Sequence, residues 1–215
     1  MKSPIVTALC LAVALGTTGC KIVPKTAENS AAPAADASGD AARITTLLAE
    51  SYEAKLLPLI AAQAQTASTL RGQIAAGLDK AGAAYGARGA GNGSPWNFAL
   101  KDQGKVIKAE LGTRARLLDL DTDGDGAADL TLQLGPVIKG NALRDVAPKI
   151  YDFTAFRDQM EFGKLGRALN DRAAAGLTVP TEDPTGKTVA FTGVFSLRTA
   201  SDKWLVTPIA LTVLP

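Results

Sequence analysis

The sequence predicts an α+β fold: N-terminal helices, then an antiparallel β-barrel-like body with a short helical segment inserted in it. Three observations predict this. Apolar residues recur every three or four positions between Ile44 and Ala81, alternate every second position from Trp96 onward, and return to helical spacing in an aromatic-rich stretch around Phe153 to Leu169. At 215 residues, 47% of them hydrophobic, the chain is long enough for one domain, or two small ones, with a real core.

The chain opens on Lys2, an apolar run over 5–16, and Thr17-Thr18-Gly19-Cys20. The run is shorter than the ~20 residues that span a bilayer, and reads as a cleaved export signal over 1–19. Gly-Cys directly after such a core looks like a bacterial lipobox, in which the thiol of Cys20 takes an acyl chain of the palmitate type and holds the new N-terminus on the membrane. Thr17 stands where Leu is usual. The competing reading is an ordinary secretory signal that leaves a stray thiol. Cys10 and Cys20 are the only cysteines, so loss of Cys10 with the signal leaves no disulfide.

Residues 20–43 then form a tether. Over 26–42 the chain is mostly Ala, Ser, Asp and Pro, with no apolar period to offset its ordering entropy. The folded domain is expected over 44–215, helical over 44–90 and β-rich over 94–215. Ile44, Leu47, Leu48, Tyr52, Leu56 and Leu57 fit one helix face, with Asp40 as a cap ahead of it and Pro58 as an interruption. A second helical run passes through Leu70, Ile74, Leu78 and Ala81 to Gly86. The cluster Gly89-Ala90-Gly91-Asn92-Gly93 follows a helix and lacks the Gly-Lys-Ser/Thr ending of a phosphate loop, so it reads as a connector.

Strands are expected over 96–101, 105–111, 113–120, 130–134, 187–197 and 205–213. Val189, Phe191, Phe195 and Leu197 share one face with a bend at Gly193, a hairpin covers 199–203, and Ile209, Leu211 and Val213 line one face of the last strand. In the inserted segment Phe153, Phe156, Met160, Phe162, Leu165 and Leu169 read as core.

Charge and composition exclude several functions. With 23 Lys+Arg against 21 Asp+Glu there is no broad electrostatic case for nucleic acid. The absence of histidine removes Ser-His-Asp and Cys-His catalysis and every His-containing zinc site. Any metal in the mature domain should be oxygen-bound.

One motif carries chemistry, the run from Asp119 to Leu130. Its alternate carboxylates and sharp-turn glycines suit a hard cation that takes six to eight oxygens. Counted from Asp119, the ninth and twelfth positions are Ala127 and Leu130, and no closing acid exists. Counted from Asp121, the set is Asp121, Asp123, Asp125, the Ala127 backbone carbonyl and Asp129, with Gly126 at the turn. This second register is preferred. It resembles the calcium hairpin of integrin-type propeller repeats, in a single copy, and predicts structural Ca2+. The plain alternative is a solvated Asp/Gly turn.

Several segments together resemble a family of predicted periplasmic lipoproteins of unknown function: Cys20-Lys21-Ile22-Val23-Pro24, Gly93-Ser94-Pro95-Trp96-Asn97-Phe98, the Asp-rich loop leading into 132–138, then 140–145, 156–162, Ala168-Leu169-Asn170 and 186–193. The resemblance implies an OB-like barrel, a periplasmic, lipid-anchored place in the bacterial cell envelope, and association with sugar ABC importers. It implies no catalytic residues. Two functions follow as expectations. One is a non-enzymatic accessory or binding protein linked to sugar uptake, with importer components or a small sugar as partner and Trp96 or Trp204 as contact residues. The other is a carboxylate-based hydrolase of envelope glycans using acids such as Asp152 and Glu161, which would have to stand about 5–10 Å apart across a cleft.

Overall fold

Helical spacing around Ile44 produces α1 (Asp40–Ser51), continued through a π turn (Tyr52–Leu56) into α2 (Leu57–Gln63). The computed structural model describes residues 32–89 and 93–215, with Pro33–Pro215 as one unit. The signal, Cys20, the tether up to residue 31, and 90–92 of the glycine connector lie outside the described residues. Regular structure begins earlier than the expected Ile44. A 3-10 turn (Ala37–Gly39) capped by the Asp36 side chain leads directly into α1. Asp40, expected as a cap, sits inside the first turn and is buried, because Arg43, Arg157 and Lys164 all reach its carboxylate. Pro58 does not end the helix. It lacks the N–H that would bond back one turn, and the widened π turn just before it takes up the mismatch.

Thr66 caps α3 (Ala67–Ala76), its hydroxyl accepting from the Thr69 N–H, and Gly77 at φ 149° separates α3 from α4 (Leu78–Tyr85). A Cβ on Gly82 would stand 2.1 Å from the Trp96 indole, so glycine is what lets α4 lie on that ring. The chain then enters β1 (Gly86–Arg88), a strand inside the 44–90 stretch expected to be helical.

The two strands expected over 96–101 and 105–111 are one, β2 (Trp96–Glu110). The Asp102-Gln103-Gly104 break in apolar alternation does not end it, because β5 (Thr188–Leu197) pairs with β2 from Trp96 to Lys105 and β3 (Leu117–Asp121) takes over from Lys105 to Glu110. β4 (Leu130–Gln133) follows, then α5 (Ala142–Asp145), a 3-10 turn (Phe153–Ala155) and α6 (Gln159–Gly176), longer than the short helices expected there. β5 and β6 (Trp204–Val213) complete the sheet.

The sheet closes as a ring, β2-β3-β4-β6-β5 and back to β2, with β1 beside β2. Every pair is antiparallel except β4–β6, which corrects the expectation of a wholly antiparallel body. The long excursion through α6 and β5 brings the chain back in the direction of β4. One apolar cluster, including Phe98, Leu118, Leu132, Phe195 and Val206, joins the strands to α3 and α4. A second, including Leu56, Ile60, Leu143, Leu165 and Leu169, joins α1, α2, α5 and α6 to Ala99 and Val194 on the sheet.

The bend expected at Gly193 is a register shift against β6 that leaves Ile209 without an opposite residue. Ile209 therefore packs on the helical cluster, while Leu211 and Val213 pack on the strand cluster, and the three do not share a face. Trp204 is buried and stacks on Phe195 at 4.5 Å, and Trp96 is half-buried. Two residues expected in the core are not in it: Phe153 is 44% exposed and Met160 70%.

Candidate functional site

The acidic loop is the turn between β3 and β4, closed at its base by the Asp129 N–H donating to the Leu120 carbonyl at 2.8 Å. Asp121, buried at the end of β3, organises it. One carboxylate oxygen accepts from the N–H groups of Asp123 (3.1 Å) and Gly124 (2.6 Å), and the other from Gly126 (3.0 Å). Gly124 and Gly126 sit at φ 85° and 87°, a conformation other residues reach only with strain, which is why the turn alternates Asp with Gly. The Gly124 N–H, opposed by burial and helped by those of Gly126 and Asp123, holds the Asp121 carboxyl below the usual carboxylate range.

Across the turn, Asp129 accepts from both the N–H and the hydroxyl of Thr122, each at 2.7 Å. Burial pushes its pKa up, but these bonds and the Arg71 guanidinium outweigh it, and the net shift is downward. Carboxylate oxygens of Asp121, Asp123 and Asp129 lie within 4.8 Å of one another. Asp125 turns to its own backbone, accepting from the Ala127 N–H at 2.7 Å, and Ala127 is exposed on the turn. Asp119, the start of the rejected register, accepts from the Thr131 hydroxyl at 2.6 Å and stays on the ladder.

The residue that sequence reasoning missed is Arg71. It reaches from α3 to Asp123 at 2.6 Å, to Asp129 at 2.9 Å and to the Thr122 hydroxyl at 3.1 Å. The Asp102 carboxylate on β2 places it, accepting the Ala67 N–H at 2.6 Å and so fixing the start of α3. Nothing in the local sequence ties a lone arginine in an Ala-rich helix to a loop about fifty residues away. The cation offsets one of four charges, so the loop keeps a surplus of carboxylate oxygens, and a hard divalent ion fits that donor set if Arg71 shares or yields its place.

Beside the loop an open groove of about 430 Å³ runs along the middle of β2, lined by Asp102, Gln103, Lys105, Asp121, Thr122 and Thr188 among others. A readable signal for it existed. The polar Asp102-Gln103-Gly104 break between the strands expected over 96–101 and 105–111 lines it, together with Lys105. The other candidate groups stand apart from both loop and groove. Trp96 donates its indole N–H to Asp79 at 2.9 Å, under the Arg88 guanidinium. Asp152 caps a turn, held below the usual carboxylate range by the backbone and then the hydroxyl of Thr154. Glu161 is buried, with Arg43 at 2.7 Å on one oxygen and the Arg157 N–H at 2.8 Å on the other. Cys20 lies outside the described residues.

A solved structure with the same architecture is an OB-fold protein from Thermotoga maritima, 14% identical, covering 81% of this chain and 98% of its own, with a TM-score of 0.59. At that identity the likeness shows the fold alone: α+β with an OB-type barrel. No curated protein matches the chain significantly. The family model described as "Predicted periplasmic lipoprotein (DUF2291)" matches residues 10–212. The match runs from before Cys20 through the helices and strands into β6, and the chain belongs to this family of predicted periplasmic lipoproteins of unknown function.

Proposed function

We propose that this periplasmic lipoprotein is acylated at Cys20 and acts as a non-enzymatic accessory or binding protein of sugar uptake, taking a small sugar or an importer component at the groove beside the acidic loop. The observation that carries the reading is the lining of that groove. Carboxylate, amide, ammonium and hydroxyl groups of Asp102, Gln103 and Lys105 on β2, Thr122 in the loop and Thr188 on β5 line it, a mixture of donors and acceptors that suits a polyhydroxy ligand. Its two acids are already engaged, Asp102 by the Ala67 and Gln103 N–H groups and Asp121 by its loop, which suits them to holding shape rather than moving protons. A thermal-shift panel of pentoses and hexoses, with a pull-down against the cognate sugar-binding protein and permease, tests it. Gln103→Ala and Lys105→Ala should remove any shift seen, and silence in both assays sinks the reading.

The loop is read as a calcium-type site formed by Asp121, Asp123, Asp125, the Ala127 carbonyl and Asp129. Its role would be structural, for it adjoins the groove through Asp121 and Thr122. The glycan hydrolase reading has less behind it, since Asp152 serves a turn and Glu161 an ion pair, and neither lines the groove.

A further inference from the structure

We propose that the face around Met160 and Phe153 seats the folded domain on the phospholipid surface from which it is tethered, an inference that rests on acylation at Cys20. Exposed large apolar side chains are few among the described residues: Met160, Phe153 and Val137. Two of the three flank the start of α6, and this is also where the tether enters the domain. The Arg43 side chain binds the carbonyls of Ala34 and Asp36, the first residues of the unit, and reaches Glu161, the neighbour of Met160, at 2.7 Å. Lys164, four residues beyond Met160 and so on the same helix face, bonds Asp40 at 2.7 Å.

The chain therefore leaves the fold beside its most exposed apolar side chain. From Cys20 to Pro33 there are thirteen residues. Thirteen residues cannot reach beyond about 45 Å. Such a short link holds the α6 face at high effective concentration against the bilayer, so even a small apolar patch gains contact. The chemistry suits the headgroup boundary: Met160 lies between Arg157 and Lys164, which stay part-exposed while their charged ends bond Asp40, and Phe153 packs edge-on against Phe162, which in turn meets Phe156.

The test uses the full, lipidated chain reconstituted in vesicles of phosphatidylethanolamine and phosphatidylglycerol. With Cys10 removed and Cys20 acylated, Met160→Cys or Phe153→Cys offers a single thiol for a nitroxide label, and Ser201→Cys on the β5–β6 turn provides a comparison. The expected result is a several-fold loss of collision with a water-soluble nickel chelate at 153 and 160, with a gain for dissolved oxygen, and neither change at 201. Labels at 153 and 160 as water-exposed as at 201, in protein that still floats with the vesicles, overturn the docking alone. Spin–spin broadening that grows with protein density would assign the face to a second copy and equally overturn it. Flotation of Cys20→Ser with the vesicles would instead overturn the anchor on which the inference rests.

Discussion

At the helical end of the domain, Asp40 and Glu161 are met by Arg43, Arg157 and Lys164; at the β3–β4 turn, Asp121, Asp123, Asp125 and Asp129 are met by Arg71. The first centre matches its three cations with three acids, since Asp158 also pairs with Arg157 at 2.6 Å, and it joins two helices distant in sequence. The second has four acids to one cation and draws most of its bonds from its own backbone. A buried acid ringed by cations is closed, because any further ion would have to displace a partner. An acid-rich turn whose backbone donates to the carboxylates is already shaped yet still undercharged, the state that a divalent ion would complete.

Removing one member of the closed centre should have the largest effect. Glu161→Ala removes one of the two acids on Arg43 and opens the Arg157 N–H, and should cost about 2–3 kcal/mol in urea unfolding, below the figure for a fully buried pair because Arg43 keeps Asp40 and touches water. Asp40→Asn should destabilise in the same direction. Neither effect should change when calcium is added. Calcium-dependent recovery of Glu161→Ala would erase the contrast between the two centres.

Calcium itself should give the next largest effect, and only through the turn. At a hundredfold excess over its Kd, a single-site ligand stabilises by about 2.7 kcal/mol, seen as a rise in Tm. Asp123→Ala and Asp125→Ala should remove the rise while leaving the calcium-free Tm nearly unchanged. An unchanged Tm for the parent chain in calcium rejects the ion site and leaves the turn to its own backbone hydrogen bonds and Arg71.

Arg71→Ala separates the cation from the carboxylates at smaller cost. Arg71 and Asp123 are 38% and 43% exposed, so the loss without calcium should be about 0–1 kcal/mol. Calcium should then bind more tightly, since a competing positive charge has gone. Weaker binding, measured by calorimetry, would make Arg71 a helper of the ion rather than its rival.

How legible these centres were differs for a physical reason. The turn is local, and its Asp and Gly spacing states both its acids and its register, so the convergence of Asp121, Asp123 and Asp129 could be read from adjacent residues. Arg71, and the ring of cations about Asp40, arise from helix packing across about fifty to more than a hundred residues, which no local pattern encodes. The barrel was legible because its apolar alternation runs through nearly every strand. The parallel β4–β6 pair was not, being set by how the intervening helix returns the chain, and β2 was split because its polar middle is the floor of a groove rather than a gap.

The contrast between the centres should also appear in acid, with a smaller effect. The hydrogen bond from Lys164, opposed by burial and reinforced by Arg157, holds Asp40 below the usual carboxylate range, whereas backbone N–H groups hold Asp121 there. A carboxyl whose folded pKa is depressed contributes stability that is present above its unfolded pKa of about 3.9 and is lost as pH falls through the folded value. Lys164→Met should therefore lower stability at neutral pH; the deficit should begin to shrink as pH falls below about 4 and close only beneath the parent's depressed folded value, where Asp40 is protonated in both chains. Arg71→Ala should leave the acid response of Asp121 in place, because its donors are the backbone of its own turn. Urea unfolding between about pH 3 and 7 reads both slopes, and a Lys164→Met curve parallel to that of the parent would mean that Asp40 does not owe its ionisation to Lys164.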